Sequence, residues 1–292
     1  MNIYYQNDKI EYESVAIALG NFDGVHIGHL RIIENAKNSA NYAGVLIFEN
    51  HTREEKVITP FDEKIKILSE LGVDFVYVVK FDDKFKSMSL EEFVVFLKEL
   101  GVTCLSVGYD YRCAKEASAD AEALREASII YGIRTVISPM VTSEGKEVKS
   151  SIIRDYIKDG KIKEANRLMV KPFTISGEVV DGFHNGRKMG FPTANIKPNN
   201  EALLPCDGAY YCTTFVDGNK YKAVVNIGNN PTLEAKERTV EGHILGLDTD
   251  LYGRKISFTF YDRIRGEMKF SSLDELKLQI AKDIEYVESV EI

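Results

Sequence analysis

The chain has 292 residues, 44% hydrophobic and 28% charged, an ordinary balance for folded domains and enough length for two of them. A formal net charge of −8 argues against broad binding to nucleic acid or to an anionic membrane surface, while a local basic pocket for a phosphorylated ligand stays compatible with it. No apolar run approaches the roughly 20 residues of a membrane span, and Met1-Asn2-Ile3-Tyr4-Tyr5-Gln6 lacks the basic-then-apolar layout of a secretion signal, so the cytoplasm is the expected compartment. Cys104, Cys113, Cys206 and Cys212 form no C-x-x-C pair and read as buried or idle thiols rather than as disulfides or a zinc site.

In the first half, short apolar runs alternate with amphipathic ones. Strands are expected at Val15–Leu19, Ala43–Phe48, Phe75–Val79, Cys104–Val107 and Thr135–Ile137. Helices are expected at His29–Ala36, Phe61–Leu71, Leu90–Leu100 and Ala119–Tyr131, then at Ser151–Lys158 and Lys161–Met169. This order indicates a parallel sheet covered on both faces, with ligands bound beyond the carboxyl ends of its strands. Lys171-Pro172 breaks the helical pattern, and a domain boundary is expected there, giving units 1–170 and 171–292. Beyond it, Thr174–Val180, Gly208–Val216, Tyr221–Ile227, Arg238–Leu245 and Lys255–Tyr261 are β-branched or aromatic runs separated by turn residues, as in an antiparallel barrel or sandwich. A closing helix over Ser272–Tyr286 is expected, with Ser272 as N-cap and Glu275 three residues on.

Two strings carry the chemistry. The first is Gly20-Asn21-Phe22-Asp23-Gly24-Val25-His26-Ile27-Gly28-His29, a Gly-rich turn from a strand into a helix start. Unpartnered N–H groups and the helix dipole make such a turn a phosphate cradle. Gly20 and Gly24 permit the turn, Gly28 permits close approach of phosphate to backbone, and His26 and His29 can face one ligand. Alone, H-x-x-H also fits two surface residues or an adventitious metal pair. The second string is Gly182-Phe183-His184-Asn185-Gly186-Arg187-Lys188-Met189-Gly190-Phe191-Pro192-Thr193-Ala194-Asn195-Ile196, too polar for a membrane-packing glycine repeat. Further along, Glu241 and His243 share one face of an expected strand, and His243 reads as part of a polar outer face. All five histidines (His26, His29, His51, His184 and His243) fall within these strings or close to the other motif segments. Neither G-x-x-x-x-G-K-[ST] nor G-x-G-x-x-G occurs, against a P-loop kinase or an ordinary dehydrogenase.

The first string resembles the GNFDGVHxGH signature of the nucleotidylyltransferases, most closely the bacterial riboflavin kinase/FMN adenylyltransferase members. Val107-Gly108-Tyr109-Asp110-Tyr111 and Ser150-Ser151-Ile152-Ile153-Arg154 resemble that family's VGxDF and SSTxIR elements. The Pro192-Thr193-Ala194-Asn195 string, Asn226-Ile227-Gly228 and Thr239–Leu245 resemble its kinase module. The resemblance implies an N-terminal Rossmann-like nucleotidylyltransferase sheet and a C-terminal riboflavin-kinase barrel with a closing helix. It implies that His26 and His29 stabilise charge on ATP as FMN phosphate attacks the α-phosphorus. Gly20, Asn21, Phe22, Asp23, Gly24, Gly28, Ser150, Ser151 and Arg154 would bind nucleotide there, and Asp110 flavin. In the kinase module it implies Glu241 as general base, and Gly182, Gly186, Arg187, Gly190, Pro192 and Asn226 on the nucleotide. Thr193 and Asn195 would hold Mg²⁺, and Arg265 flavin. Riboflavin, FMN and ATP are the implied small-molecule partners and FMN and FAD the products, with no nucleic acid or membrane partner.

Two segments depart from the family pattern. Phe48-Glu49-Asn50-His51-Thr52 lacks both prolines of its F-x-P-H-P loop, and Arg112-Cys113-Ala114-Lys115-Glu116-Ala117-Ser118 lacks its glycines, which implies a different loop shape. Lys149 stands where a serine is common, a charge expected near the triphosphate. Three readings follow: a bifunctional enzyme; a riboflavin kinase whose first domain adenylylates weakly or not at all; and a non-catalytic flavin-binding regulator, against which Thr193, Asn195 and Glu241 argue.

Overall fold

The computed structural model describes residues 1–49, 56–181, 190–229 and 238–291. Two compact units divide between Ser150 and Ser151. In the first, β1 (Asn2–Tyr5), β2 (Val15–Leu19), β3 (Tyr42–Phe48), β4 (Phe75–Val79), β5 (Val102–Gly108) and β8 (Arg134–Ser138) form one parallel sheet in the order β1-β4-β3-β2-β5-β8.

Strand β2 is buried along its whole length, as a strand between two neighbours with both faces covered must be. Its alternating side chains feed two cores. Val15, Ile17 and Leu19 pack with Phe93, Val94 and Leu97 of α4 (Leu90–Glu99) and Leu124 of α5 (Ala121–Ile130). Ala16 and Ala18 lie on the other face with Ile32, Ile33 and Ala36 of α1 (Ile27–Lys37) and Leu68 of α2 (Phe61–Glu70). Order reverses at β2: β3 and β4 lie to one side, β5 and β8 to the other. Connections there leave in opposite directions, and the crevice between the carboxyl ends of β2 and β5 is the binding position of such sheets.

Edge strand β1 was not expected; only Tyr4 of its residues is buried, so its pattern is weak. The short helix α3 (Asp83–Lys86) precedes α4. A helix expected from Ala119 begins at Ala121, because Ala119–Asp120 pair as β7 with β6 (Arg112–Cys113), and the Asp120 carboxylate caps α5 by accepting the Ala123 N–H at 2.9 Å. Strands β9 (Thr142–Ser143) and β10 (Lys146–Glu147) form a hairpin.

The second unit opens with α6 (Ser150–Lys158, its first residue in the first unit) and α7 (Ile162–Leu168), which fall with the barrel instead of ending the sheet domain at 170. The reason is visible at Asn166, whose side-chain amide donates to Phe260 O and accepts the Phe173 N–H, each at 2.8 Å. A closed antiparallel barrel follows, from β11 (Thr174–Val180), β12 (Ala194–Pro198), β13 (Gly208–Val216), β14 (Asn219–Asn229), β15 (Arg238–Ile244) and β16 (Lys255–Gly266), in the order β11-β12-β15-β14-β13-β16. Helix α8 (Leu273–Ser289) starts where expected: Ser272 accepts the Glu275 N–H at 3.2 Å. It docks through Val287 onto Tyr211 and Val224, and through Asp283, which is 2% exposed and held by Arg265 at 2.9 Å. The four cysteines are free, and burial pushes the Cys113 thiol up to about 12. Among the described residues no helix is long and apolar enough to cross a membrane.

Asn166→Ala should leave a backbone donor and an acceptor unpaired at the α7–barrel contact, costing about 1–3 kcal/mol. Urea unfolding followed by circular dichroism would check this; an unchanged midpoint would contradict it.

Candidate active sites

Between Leu19 and the start of α1 the chain turns through Gly20–Val25 at the β2/β5 crevice. The turn takes positive φ at Phe22 (49°), Gly24 (78°) and Val25 (29°), and Ile58 approaches within 3.2 Å of where a Gly24 Cβ would stand. Side chains of the turn are largely spent on the chain itself. Phe22 is fully buried with its ring 5.0 Å from that of His29, so it is a floor and not a ligand contact. The Asp23 carboxylate accepts the N–H groups of Ile58 (2.9 Å) and Thr59 (3.1 Å), and its carbonyl accepts the Ser150 hydroxyl at 2.8 Å. Asn21 is exposed, and its carbonyl accepts Lys64 Nζ at 2.9 Å.

The two histidines cap α1 in a reciprocal way. The His29 N–H donates to His26 Nδ1 at 3.2 Å, and the His26 N–H donates to His29 Nδ1 at 3.4 Å. A backbone N–H can only donate, so both Nδ1 atoms carry a lone pair and each neutral ring has its proton on Nε2. The rings stack with centroids 3.6 Å apart. Gly28 makes room for this: a Cβ there would lie 3.0 Å from His26 Nδ1, so its small size serves the imidazole directly. Burial pushes His26 down to about 4, and burial, then His26, then Lys64 hold His29 well below its ordinary value. At neutral pH the pair therefore offers Nε2–H donors and not imidazolium charge.

Positive charge at this site comes from a residue that the sequence reading missed. Lys64 of α2 is 7% exposed, and burial lowers its pKa while the Asp23 carboxylate opposes that. A signal existed: Lys64 and Leu68 share the buried stripe of an amphipathic helix, where lysine is rare.

At the end of β5, Asp110 is exposed, its Oδ1 beside Gly108. Lys149 does not stand free: it pairs with Glu147 at 2.8 Å and lies 5.8 Å over the Tyr109 ring, whose hydroxyl also bonds Glu147. The glycine-free 112–118 segment has an unusual backbone. Ala114 (φ 64°, ψ −177°), Glu116 (57°) and Ala117 (55°) all take positive φ, so the absence of glycine did not keep the loop from left-handed backbone. Ser151 is exposed and Arg154 buried on α6, in the other compact unit. His51 lies outside the described residues, as do Gly182, Gly186 and Arg187.

In the barrel, register brings three polar residues into one row. Glu241 of β15 stands opposite Asn195 of β12 on one side and Asn226 of β14 on the other. Val240, Gly242 and Ile244 alternate with it and are buried, so this row belongs to the outer face. Thr193 and Asn195 are half-buried; Gly190 (φ 90°) and Pro192 are exposed. Burial raises the Glu241 pKa, and the Thr239 hydroxyl, donating at 3.3 Å, opposes it. Arg265 bonds Asp283 and the Gly266 carbonyl, which ties α8 to the barrel. Among the described residues no group of three or more His, Cys, Asp or Glu could enclose a metal ion. A hydroxyl, an amide and one carboxylate fit a hard cation that takes most of its shell from phosphate and water.

Comparison with known proteins agrees with this division. Residues 8–152 match a family model described as FAD synthetase, and residues 169–290 one described as riboflavin kinase. The bifunctional riboflavin kinase/FMN adenylyltransferase of Escherichia coli K12 is 35% identical over 93% of this chain and 91% of its own length. That of Bacillus subtilis 168 is 34% identical over 94% and 92%. The chain belongs to the bifunctional riboflavin kinase/FMN adenylyltransferase family. A crystal structure described as a macrolide-efflux protein from Streptococcus pneumoniae superposes with a TM-score of 0.91 at 28% identity, covering all of both chains. Family membership gives the two sites separate addresses: the histidine pair lies within the FAD-synthetase match, and the Asn195–Glu241–Asn226 row within the riboflavin-kinase match.

Two outcomes are expected for the adenylyltransferase-like unit. His26 has a folded pKa below its unfolded value near 6.5, so the stability linked to it is present above pH 6.5 and is lost as pH falls toward about 4. His26→Asn keeps a capping acceptor without titrating, so it should reduce that acid-side loss, which amounts to roughly 3 kcal/mol at full extent. Urea midpoints compared at pH 7.5 and pH 5 test this, and equal acid losses in both proteins would refute it. Ala114→Gly should raise stability by about 1 kcal/mol, because the relief of a glycine-only conformation outweighs the added freedom of the unfolded chain.

Proposed function

We propose that the barrel unit phosphorylates riboflavin with ATP to FMN and that the sheet unit transfers AMP from a second ATP to FMN, giving FAD and pyrophosphate. The observation that carries the kinase half is the Asn195–Glu241–Asn226 row, a half-buried carboxylate flanked by amides beside Thr193. Glu241 accepts the proton of the ribityl 5′-hydroxyl as that oxygen attacks the γ-phosphorus. Thr193 and Asn195 hold Mg²⁺, which supplies charge neutralisation on the phosphates when bound. Gly190, Pro192 and Asn226 line the nucleotide side.

For the adenylyltransferase half, the paired Nε2–H donors of His26 and His29 bind the ATP phosphates. The turn Gly20–Gly24 and Gly28 hold the pair in place, and the α1 dipole and Lys64 add positive potential. Asp110 contacts flavin. Small-molecule substrates in a chain of this charge support a cytoplasmic setting without nucleic-acid or membrane partners. The kinase-only reading rested on the altered loops; the positive φ values at Ala114, Glu116 and Ala117 weaken that motive.

Purified protein given riboflavin, ATP and Mg²⁺ should form FMN and then FAD, resolved by chromatography over time. FMN without FAD would favour the kinase-only reading, and neither product would sink both. Glu241→Gln should reduce FMN formation at least 10³-fold while FAD still forms from supplied FMN, and His29→Ala should do the reverse. Because burial raises Glu241, the acid limb of kcat/KM for FMN formation should lie above the usual glutamate value near 4.3. Thr239→Val removes the hydroxyl that opposes the rise and should move that limb further up; a limb that stays in place would argue against Glu241 as the base.

A further inference from the structure

The β12–β15 ladder pairs Ala194 with Gly242, Asn195 with Glu241 and Ile196 with Val240, and no further. Continued by one step it would pair Thr193 with His243. Pro192 lacks an N–H, so the segment entering β12 is poorly equipped to extend the ladder through its own backbone. The His243 side chain takes over. Its Nδ1 lies 2.8 Å from Pro192 O, and its ring meets Phe191 edge-on with centroids 5.8 Å apart. A carbonyl oxygen can only accept, so Nδ1 carries the proton, the opposite tautomer from His26 and His29. The ring is also two residues from Glu241 on the same strand face. One imidazole thus ties the peptide just before Thr193 to the strand that carries Glu241.

We infer that His243 is a positioning residue of the kinase half, holding Phe191–Thr193 so that the Thr193 hydroxyl and the Asn195 amide keep a fixed distance from Glu241. This rests on the kinase reading above. A polar outer-face residue would serve only solubility; a hydrogen bond to a peptide just beyond the end of the β12–β15 ladder gives this side chain a specific task.

Asparagine presents an amide N–H close to the Nδ1 position, glutamine presents one nearer Nε2, and phenylalanine keeps the ring without a donor. His243→Asn should therefore keep KM for Mg-ATP within about 3-fold of wild type. His243→Phe and His243→Gln should raise it about 10-fold or more, with little change in KM for riboflavin and a smaller change in kcat. Calorimetric titration of Mg-ADP should show the same ranking without turnover. Long-range ¹⁵N–¹H spectra of the imidazoles should show His243 protonated at Nδ1, with His26 and His29 protonated at Nε2. The side chain is half-buried and its neighbours in the barrel core are untouched, so the variants should fold; FAD formation from supplied FMN checks recovery of intact chain. An unchanged KM in His243→Phe overturns the inference, as does equal impairment by Asn and Phe or an Nε2–H tautomer at His243. No FMN from the wild-type chain would instead sink the kinase reading on which it rests.

Discussion

A carboxylate taken out of water needs hydrogen-bond donors, and the arrangement of the first unit follows from how Asp23 obtains them. Asp23 is 4% exposed and draws two successive backbone N–H groups, from Ile58 and Thr59, onto one oxygen. That fixes the segment leading into α2 against the turn after β2. Lys64 on α2 then reaches the Asn21 carbonyl, and Ser150 closes onto the Asp23 carbonyl. With the turn held on three sides, α1 starts at a defined point, and the two imidazoles can cap one another. Backbone with positive φ at Phe22 and Val25 is sustained because these contacts over-determine it.

The barrel solves a comparable problem with different material. Strand β12 is short and bracketed by Pro192 and Pro198, which limit how far backbone hydrogen bonds can run. Cross-strand register therefore does the aligning, and it sets Asn195, Glu241 and Asn226 in one row. In both units backbone hydrogen bonding between segments far apart in the chain sets the frame of the site, at Asp23 in the first and through the β12–β15 ladder in the second.

That last property explains what could be read in advance. Strands β2 to β5 and β8 were legible because continuous apolar runs of that length have few other uses. The barrel strands were legible from their β-branched and aromatic texture. Strand β12 escaped notice because its residues read as motif and its flanking prolines read as loop. Strand β1 escaped because an edge strand with one buried side chain leaves almost no pattern. His26, His29 and Glu241 stood out as candidates because of the strings around them. The task of Asp23 did not, since its partners are peptide groups, which no residue letter announces. The backbone of the glycine-free loop was not legible for the converse reason: Ala114, Glu116 and Ala117 occupy conformations that their identities disfavour.

The reciprocal cap has a further consequence, for selectivity against metal ions. Two histidines three residues apart on a helix start would ordinarily invite zinc or copper. A ring nitrogen can coordinate only through a free lone pair. Here each Nδ1 lone pair is engaged by a backbone N–H, and freeing Nε2 would require moving its proton to Nδ1, directly against that N–H. The reciprocal cap that leaves the protons on Nε2 thus also makes the pair a poor chelator, so a cell's trace metals have little hold on it.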